Sequence, residues 1–170
     1  MLLVRLIIAT VTLSCILFNP VTYAEKPTQQ VQEFENNEIS LSDGVSNFEK
    51  KTKKKVLLPK YLPFDSTDQT VNFNKEGKLR VRYCNEKTKQ NLIVSQEAVS
   101  YPVRFSNKNE SILKDGTKAY YYNDDVVHHI VFRREDVVYS IIAFKKNNEL
   151  TQEQLIKVAN SLSDTGYIGK

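Results

Sequence analysis

The run Leu150-Thr151-Gln152-Glu153-Gln154-Leu155-Ile156-Lys157-Val158-Ala159-Asn160-Ser161-Leu162 decides the fold class of this 170-residue chain. Thr151 can cap a helix, and Gln154, three positions on, completes a capping box. Leu150, just before the cap, faces Leu155 as a hydrophobic staple. Leu155, Val158, Ala159 and Leu162 then recur at helical spacing and make one apolar stripe. Gly166 is placed to stop the helix. A helix this one-sided has to bury its stripe, and the only cover in the chain is a sheet.

Working outward, three strand segments precede it: Thr117 to Tyr122, Val127 to Arg133, and Val137 to Phe144. Asn123-Asp124-Asp125 and Arg134-Glu135-Asp136 join them as tight polar turns. Links this short demand antiparallel pairing, because parallel strands need a long crossover. Tyr101 to Asp115 is irregular and ends in an Asp115-Gly116 turn. Further upstream lie Asn91 to Gln96, Leu79 to Cys84 and the short Val71 to Asn74, the last two joined by a Lys75-to-Lys78 turn. Leu79 to Cys84 alternates, with Leu79, Val81 and Tyr83 inward. Between Val56 and Pro63, two prolines force an extended path that should lie against the sheet as a strap or edge. A short helix is expected from Asp43 to Lys54, with Val45, Phe48 and Thr52 on one side and a capping box at Ser46 and Glu49. The expectation is an α+β domain over residues 43–165, with 166–170 as a tail. It has one curved antiparallel sheet of about six strands, a short N-terminal helix, and the amphipathic C-terminal helix packed on one face.

The chain opens with Arg5 as a positive n-region, an apolar run from Leu6 to Phe18, and a break at Asn19-Pro20. Thr22 and Ala24 place small residues three and one positions before Glu25, the layout a signal peptidase reads. Residues 1–24 are therefore expected to be a signal peptide cleaved between Ala24 and Glu25. Residues 25–42, polar and without apolar period, form a spacer. Export places the protein in the secreted fraction or at the outer face of the cytoplasmic membrane. Two other fates remain open. A retained anchor would have to extend through Val21 and Tyr23 to approach the ~20 residues of a span. Thr12-Leu13-Ser14-Cys15 loosely resembles a lipobox, which would make a lipoprotein at Cys15. If the leader leaves, Cys84 is the one remaining thiol, with no disulfide partner in the chain.

With 24 basic and 20 acidic residues the charge is too balanced to imply nucleic acid as a partner. His128 and His129, adjacent on a strand, point to opposite faces and cannot chelate one ion, so no metal and no cofactor are assigned. No Gly-x-Ser-x-Gly elbow and no glycine-rich phosphate loop occur, and no catalytic residue is assigned. The acidic pairs Asp124-Asp125 and Glu135-Asp136 read as solvated turns, with weak calcium binding as the alternative. Two features invite a binding role. Lys50, Lys51, Lys53, Lys54 and Lys55 either end a helix, where cations suit its dipole, or attract anionic lipid or wall polymer. Tyr120 and Tyr122 share a strand face and could form an exposed aromatic platform.

The order of these signals resembles a known family. The resemblance covers roughly Asp43 to Leu162. It rests on Pro59-Lys60-Tyr61-Leu62-Pro63, Tyr83 in a charged strand, and Gly116 with Ala119 and Tyr120. Val131-Phe132 leading to Tyr139, and the closing run from Leu150 to Leu162, complete it. The family is domain of unknown function 4367, found in exported and membrane-tethered proteins of Gram-positive spore formers. Phe132 stands where many members have Trp. The resemblance implies a curved antiparallel sheet with helices on one face, outside the cytoplasmic membrane, and it brings no activity. The expected function is a non-catalytic binding or interaction module of the cell envelope, its ligand unknown. The alternative is an envelope sensor or accessory subunit contacting another protein. An enzyme without a recognisable motif is the third reading.

Overall fold

A computed structural model describes residues 38–105, 109–146 and 150–164. The leader with Cys15, Ala24 and Glu25, spacer residues 25–37 and the tail lie outside the described residues. In chain order the elements are α1 (Leu41–Thr52), β1 (Leu57–Pro59), β2 (Asp68–Phe73), β3 (Lys78–Cys84), β4 (Asn91–Ala98), β5 (Glu110–Ile112), β6 (Lys118–Asn123), β7 (Val127–Arg134), β8 (Val137–Phe144), α2 (Gln152–Ser161) and β9 (Leu162–Asp164).

The class is α+β, but the sheet is larger than the sequence suggests. Seven strands lie in the order β2-β3-β4-β8-β7-β6-β5, every neighbouring pair antiparallel. β1 and β9 form a separate two-stranded sheet. The additions to the expected six are all three-residue strands, too short to show a period. Their pairing is decided by where tertiary packing brings the chain.

Both arms of the α2 capping box are made. Thr151 Oγ1 accepts from the Gln154 amide at 3.3 Å, and Gln154 Oε1 accepts from the Thr151 amide at 2.9 Å. Leu150 and Leu155 are buried in one cluster, as a staple requires. The helix ends sooner than Gly166 suggests. Ser161 Oγ bonds back to the Val158 carbonyl at 2.8 Å, and Leu162 leaves the helix to pair with Pro59.

The first helix begins two residues before Asp43, and its cap is not Ser46. Ser40 Oγ accepts from the Asp43 amide at 3.0 Å. Glu49, expected in a capping box, instead holds the chain beyond the helix. It accepts from the Val56 amide at 3.2 Å and pairs with Lys55 at 3.2 Å. Lys53 makes this return possible by adopting a left-handed φ of 58°. On the inner side, Gly44 lets the helix approach the sheet, since a Cβ there would stand 2.7 Å from Val71 Cγ1.

Val45 and Phe48 of α1 and Leu155, Val158 and Ala159 of α2 share one core with Leu79, Val81, Leu92, Ile130, Phe132 and Ile141. Both helices therefore cover the same face of the sheet. The strap reading of Val56 to Pro63 holds on this face. The carboxamide of Gln96, fully buried on β4, donates to the Leu57 carbonyl at 2.8 Å and accepts from the Leu57 amide at 2.9 Å. Phe132 stacks on Tyr139 at 5.2 Å under the Arg134 guanidinium.

The expectation of a half-buried strand at Leu79–Cys84, polar residues outward, is corrected. Lys78 and Arg80 of β3 are as buried as Leu79 and Val81, and β8 is buried along seven of its eight residues. Lys78 faces Glu97 at 4.0 Å. Over β7 and β8 the second face is covered by Val99, Val103 and Phe105, which join Val131 and Val138.

Candidate functional site

Antiparallel order places the β3–β4 and β6–β7 connections at the same end of the sheet, with the β4–β8 seam between them. The first tip is built by Asn85. Its amide donates to the Gln90 carbonyl at 2.9 Å, and its Oδ1 accepts from the Lys87 and Thr88 amides at 3.0 and 2.9 Å. The second is built by Asp124, whose Oδ1 accepts from the Val126 and Val127 amides, each at 2.8 Å. These backbone bonds hold the Asp124 carboxyl below the usual carboxylate range. Two raised tips over a lower seam leave a cleft of about 840 Å³ on the face away from the helices. That is within the range of small-ligand sites.

Its floor is apolar. Ile93, buried with Val127 and Ile142, lies below, Phe144 packs against them, and Val126 forms one wall with about half its surface exposed. The rim carries both signs. Arg82, Lys89 and Lys146 are set against Asp68, Glu86 and Asp125. Among the described residues the Arg82 side chain makes no ion pair and no hydrogen bond. Cys84 also lines the cleft. Burial, and then the bond its thiol donates to Asp68 Oδ2 at 3.6 Å, push the thiol up from its ordinary value. A thiol held protonated is a poor nucleophile.

The five lysines lie at the other end of the sheet. Three have partners. Lys54 pairs with Asp136 at 3.1 Å and Glu135 at 3.6 Å, Lys55 pairs with Glu49, and the Lys51 ammonium donates to the Lys75 carbonyl. The hydrogen bond from Lys54 holds the Asp136 carboxyl low and the Lys54 ammonium high. Lys50 and Lys53 are exposed, and neither has an ion pair among the described residues. Asp136 thus closes a turn and anchors the helix end. Its partner acid Glu135 takes the left-handed φ of 50° that the turn needs.

Tyr120 and Tyr122 share the face away from the helices, while Tyr121 enters the core. Tyr120 stacks on Phe105 at 5.1 Å, and Tyr122 tilts against His129 at 5.6 Å. Both rings are half-buried. The adjacent histidines do point to opposite faces. His128 Nδ1 meets the Tyr121 hydroxyl at 2.5 Å, and His129 Nε2 meets Ser140 Oγ at 2.8 Å. Burial, and then the charge of Lys145, lower the His128 pKa from its ordinary value.

Sequence reading missed the cleft because its walls come from three separated segments. The signals were present but not joined: the polar loop Asn85–Gln90, the Asp124-Asp125 turn, and Phe144 ending a strand.

Together these features define a one-sided α+β module, with helices packed on one sheet face and a mixed-charge cleft on the other. The family model described as Domain of unknown function (DUF4367) matches residues 56–162, more than half of the chain, and the chain belongs to that family. The matched span begins at Val56, so α1 precedes it although it packs into the same core. No curated protein and no solved structure matches the chain. No helix among the described residues is long and apolar enough to cross a membrane.

Proposed function

We propose that this protein is an exported, non-catalytic binding module of the cell envelope and that its ligand sits in the cleft between the two hairpin tips. The observation that carries the reading is the cleft itself, an apolar floor ringed by charged groups of which Arg82, Glu86 and Asp125 have no ion pair among the described residues. Burial and the bond to Asp68 push the Cys84 thiol up from its ordinary value, which favours holding a ligand over transforming it. The leader supplies the location. Export predicts a mature chain that starts at Glu25, which N-terminal sequencing of the exported protein reads directly. An intact Met1 or a lipid on Cys15 would refute cleavage there.

Val126 offers the functional test, because it is exposed on the cleft wall and contributes little to the core. Val126→Trp should fill the cleft and release the protein from the envelope fraction into the medium, with an unchanged thermal midpoint. Equal retention of the two proteins would remove the cleft from the account.

A second reading concerns the lysine end. The Lys51 bond to the Lys75 carbonyl joins the β2–β3 turn to a helix end where Lys50 and Lys53 are exposed, a basic surface suited to anionic lipid or wall polymer. Retention on phosphatidylglycerol vesicles should then fall with salt, as screening shortens to about 10 Å at 0.1 M. Changing Lys50, Lys53 and Lys75 to Gln should abolish it. Retention that survives both salt and substitution would eliminate this surface.

A further inference from the structure

The cleft's charges are balanced, and that balance selects among ligands. Three cationic side chains (Arg82, Lys89 and Lys146) face three carboxylates (Asp68, Glu86 and Asp125) around one apolar floor. A phosphate polymer or a fatty acid would meet as much repulsion as attraction at such a rim. Like charges brought together disfavour the wrong partner as strongly as opposite charges favour the right one. A neutral sugar can hydrogen-bond the rim through its hydroxyls, but it neutralises none of the charges and offers no apolar side chain to the floor at Ile93 and Phe144. A molecule that carries an ammonium, a carboxylate and an apolar side chain together has a counterpart for each kind of group in the site.

We propose that the cleft binds a short zwitterionic peptide, with its carboxylate on Arg82 and an apolar side chain on Ile93, Val126 and Phe144. This rests on the reading of the cleft as the binding site and adds the ligand class. Arg82 is the natural anchor. It is half-buried and emerges from β3 directly beside Ile93 of β4, its Cα partner in the ladder. Its planar fork matches a carboxylate with two parallel hydrogen bonds. The ammonium then falls to the acidic groups. Glu86 on one tip and Asp125 on the other are exposed, and neither has an ion pair among the described residues. The cleft volume of about 840 Å³ accommodates two to three residues rather than a folded partner.

The test is an amide NMR titration of the full exported chain with tripeptides that carry Leu or Phe at the centre. The expected result is a shift of the Arg82, Ile93, Val126 and Phe144 signals with free-termini peptides. Amidation of the peptide's carboxylate, or Arg82→Gln in the protein, should each weaken binding about tenfold, the loss of one charge-assisted anchor. The two changes together should weaken it little more than either alone. Decanoate and inorganic phosphate, titrated in parallel, should not shift these signals. If either does so while the peptides do not, the ligand class is overturned and the cleft remains a binding site. If the peptides bind but amidation has no effect, the carboxylate anchor is overturned. If none of the probes moves a cleft signal, the ligand class and the cleft reading fall together.

Discussion

The two faces of the seven-stranded sheet are built on different terms. Toward the helices, Leu79, Leu92, Ile130, Phe132, Ile141 and Leu155 merge into one continuous apolar core with a single polar insertion at Gln96. On the other face the apolar residues divide into two small clusters, around Ile93 and around Val131. Polar side chains separate them: Arg80, Ser95 and Ser140 are buried there, and His129 meets Ser140. Apolar burial stabilises in proportion to area, so the first face holds the fold together. Polar groups in a low-dielectric setting give direction and selectivity at a cost in stability. The difference puts most of the folding energy on one side of the sheet and leaves the other for the proposed recognition.

The sharpest way to break that division is a pair of truncations. Leu155→Ala, in the helix-covered core, should destabilise by about 2–5 kcal/mol through cavity formation. Val126→Ala, on the cleft wall, should stay within about 0.5 kcal/mol. Chemical denaturation measures both. Equal losses would mean the two faces share the work of folding, and the comparison would fail.

A smaller effect tests the one polar group inside the core. Gln96→Leu keeps the volume but leaves both the amide and the carbonyl of Leu57 without the partner that now satisfies them. The cost should be about 1–3 kcal/mol, the penalty of unsatisfied buried groups. Protection of the Leu57 amide from hydrogen exchange should fall with it. A neutral or stabilised variant would show that β1 is held by its pairing with β9 alone.

The first face was legible in the sequence and the second was not, for a physical reason. A helix stripe such as Leu155, Val158 and Ala159, and a capping box such as Thr151 with Gln154, are local patterns with a fixed period. Six strands and two helices follow from such patterns. β5, β1 and β9 do not, because a three-residue strand exists only where a neighbour is brought to it. Lys78 and Arg80 alternate with apolar residues as solvent-facing groups would, yet both are buried, since burial of the second face depends on segments distant in sequence. The cleft is the extreme case. Arg82, Val126 and Phe144 lie in segments with nothing in common except the end of the sheet where they finish. The lysine run was the reverse, conspicuous in sequence, yet three of its five side chains are taken up by Glu49, Asp136 and the Lys75 carbonyl.

The smallest expected effect sharpens the comparison at the cleft wall. Asp124 shapes the turn that presents Asp125 and Val126, and two backbone amides, from Val127 and Val126, lower its pKa. A carboxyl depressed in the folded state stabilises fully above its unfolded value near 3.8, and that contribution is lost as pH falls through the lower folded value. The group is largely exposed, so solvent screening should keep the contribution below about 1 kcal/mol. Asp124→Asn retains the oxygen that accepts both amides and removes the charge. At neutral pH the variant should therefore be slightly less stable than the parent. Below the folded pKa of Asp124 both side chains are neutral, and the two denaturation midpoints should converge. A gap that stays constant from neutral to acid pH would mean the charge contributes nothing to the turn. The cleft wall would then be set by the backbone alone, and recognition on this face would carry no cost from that carboxylate.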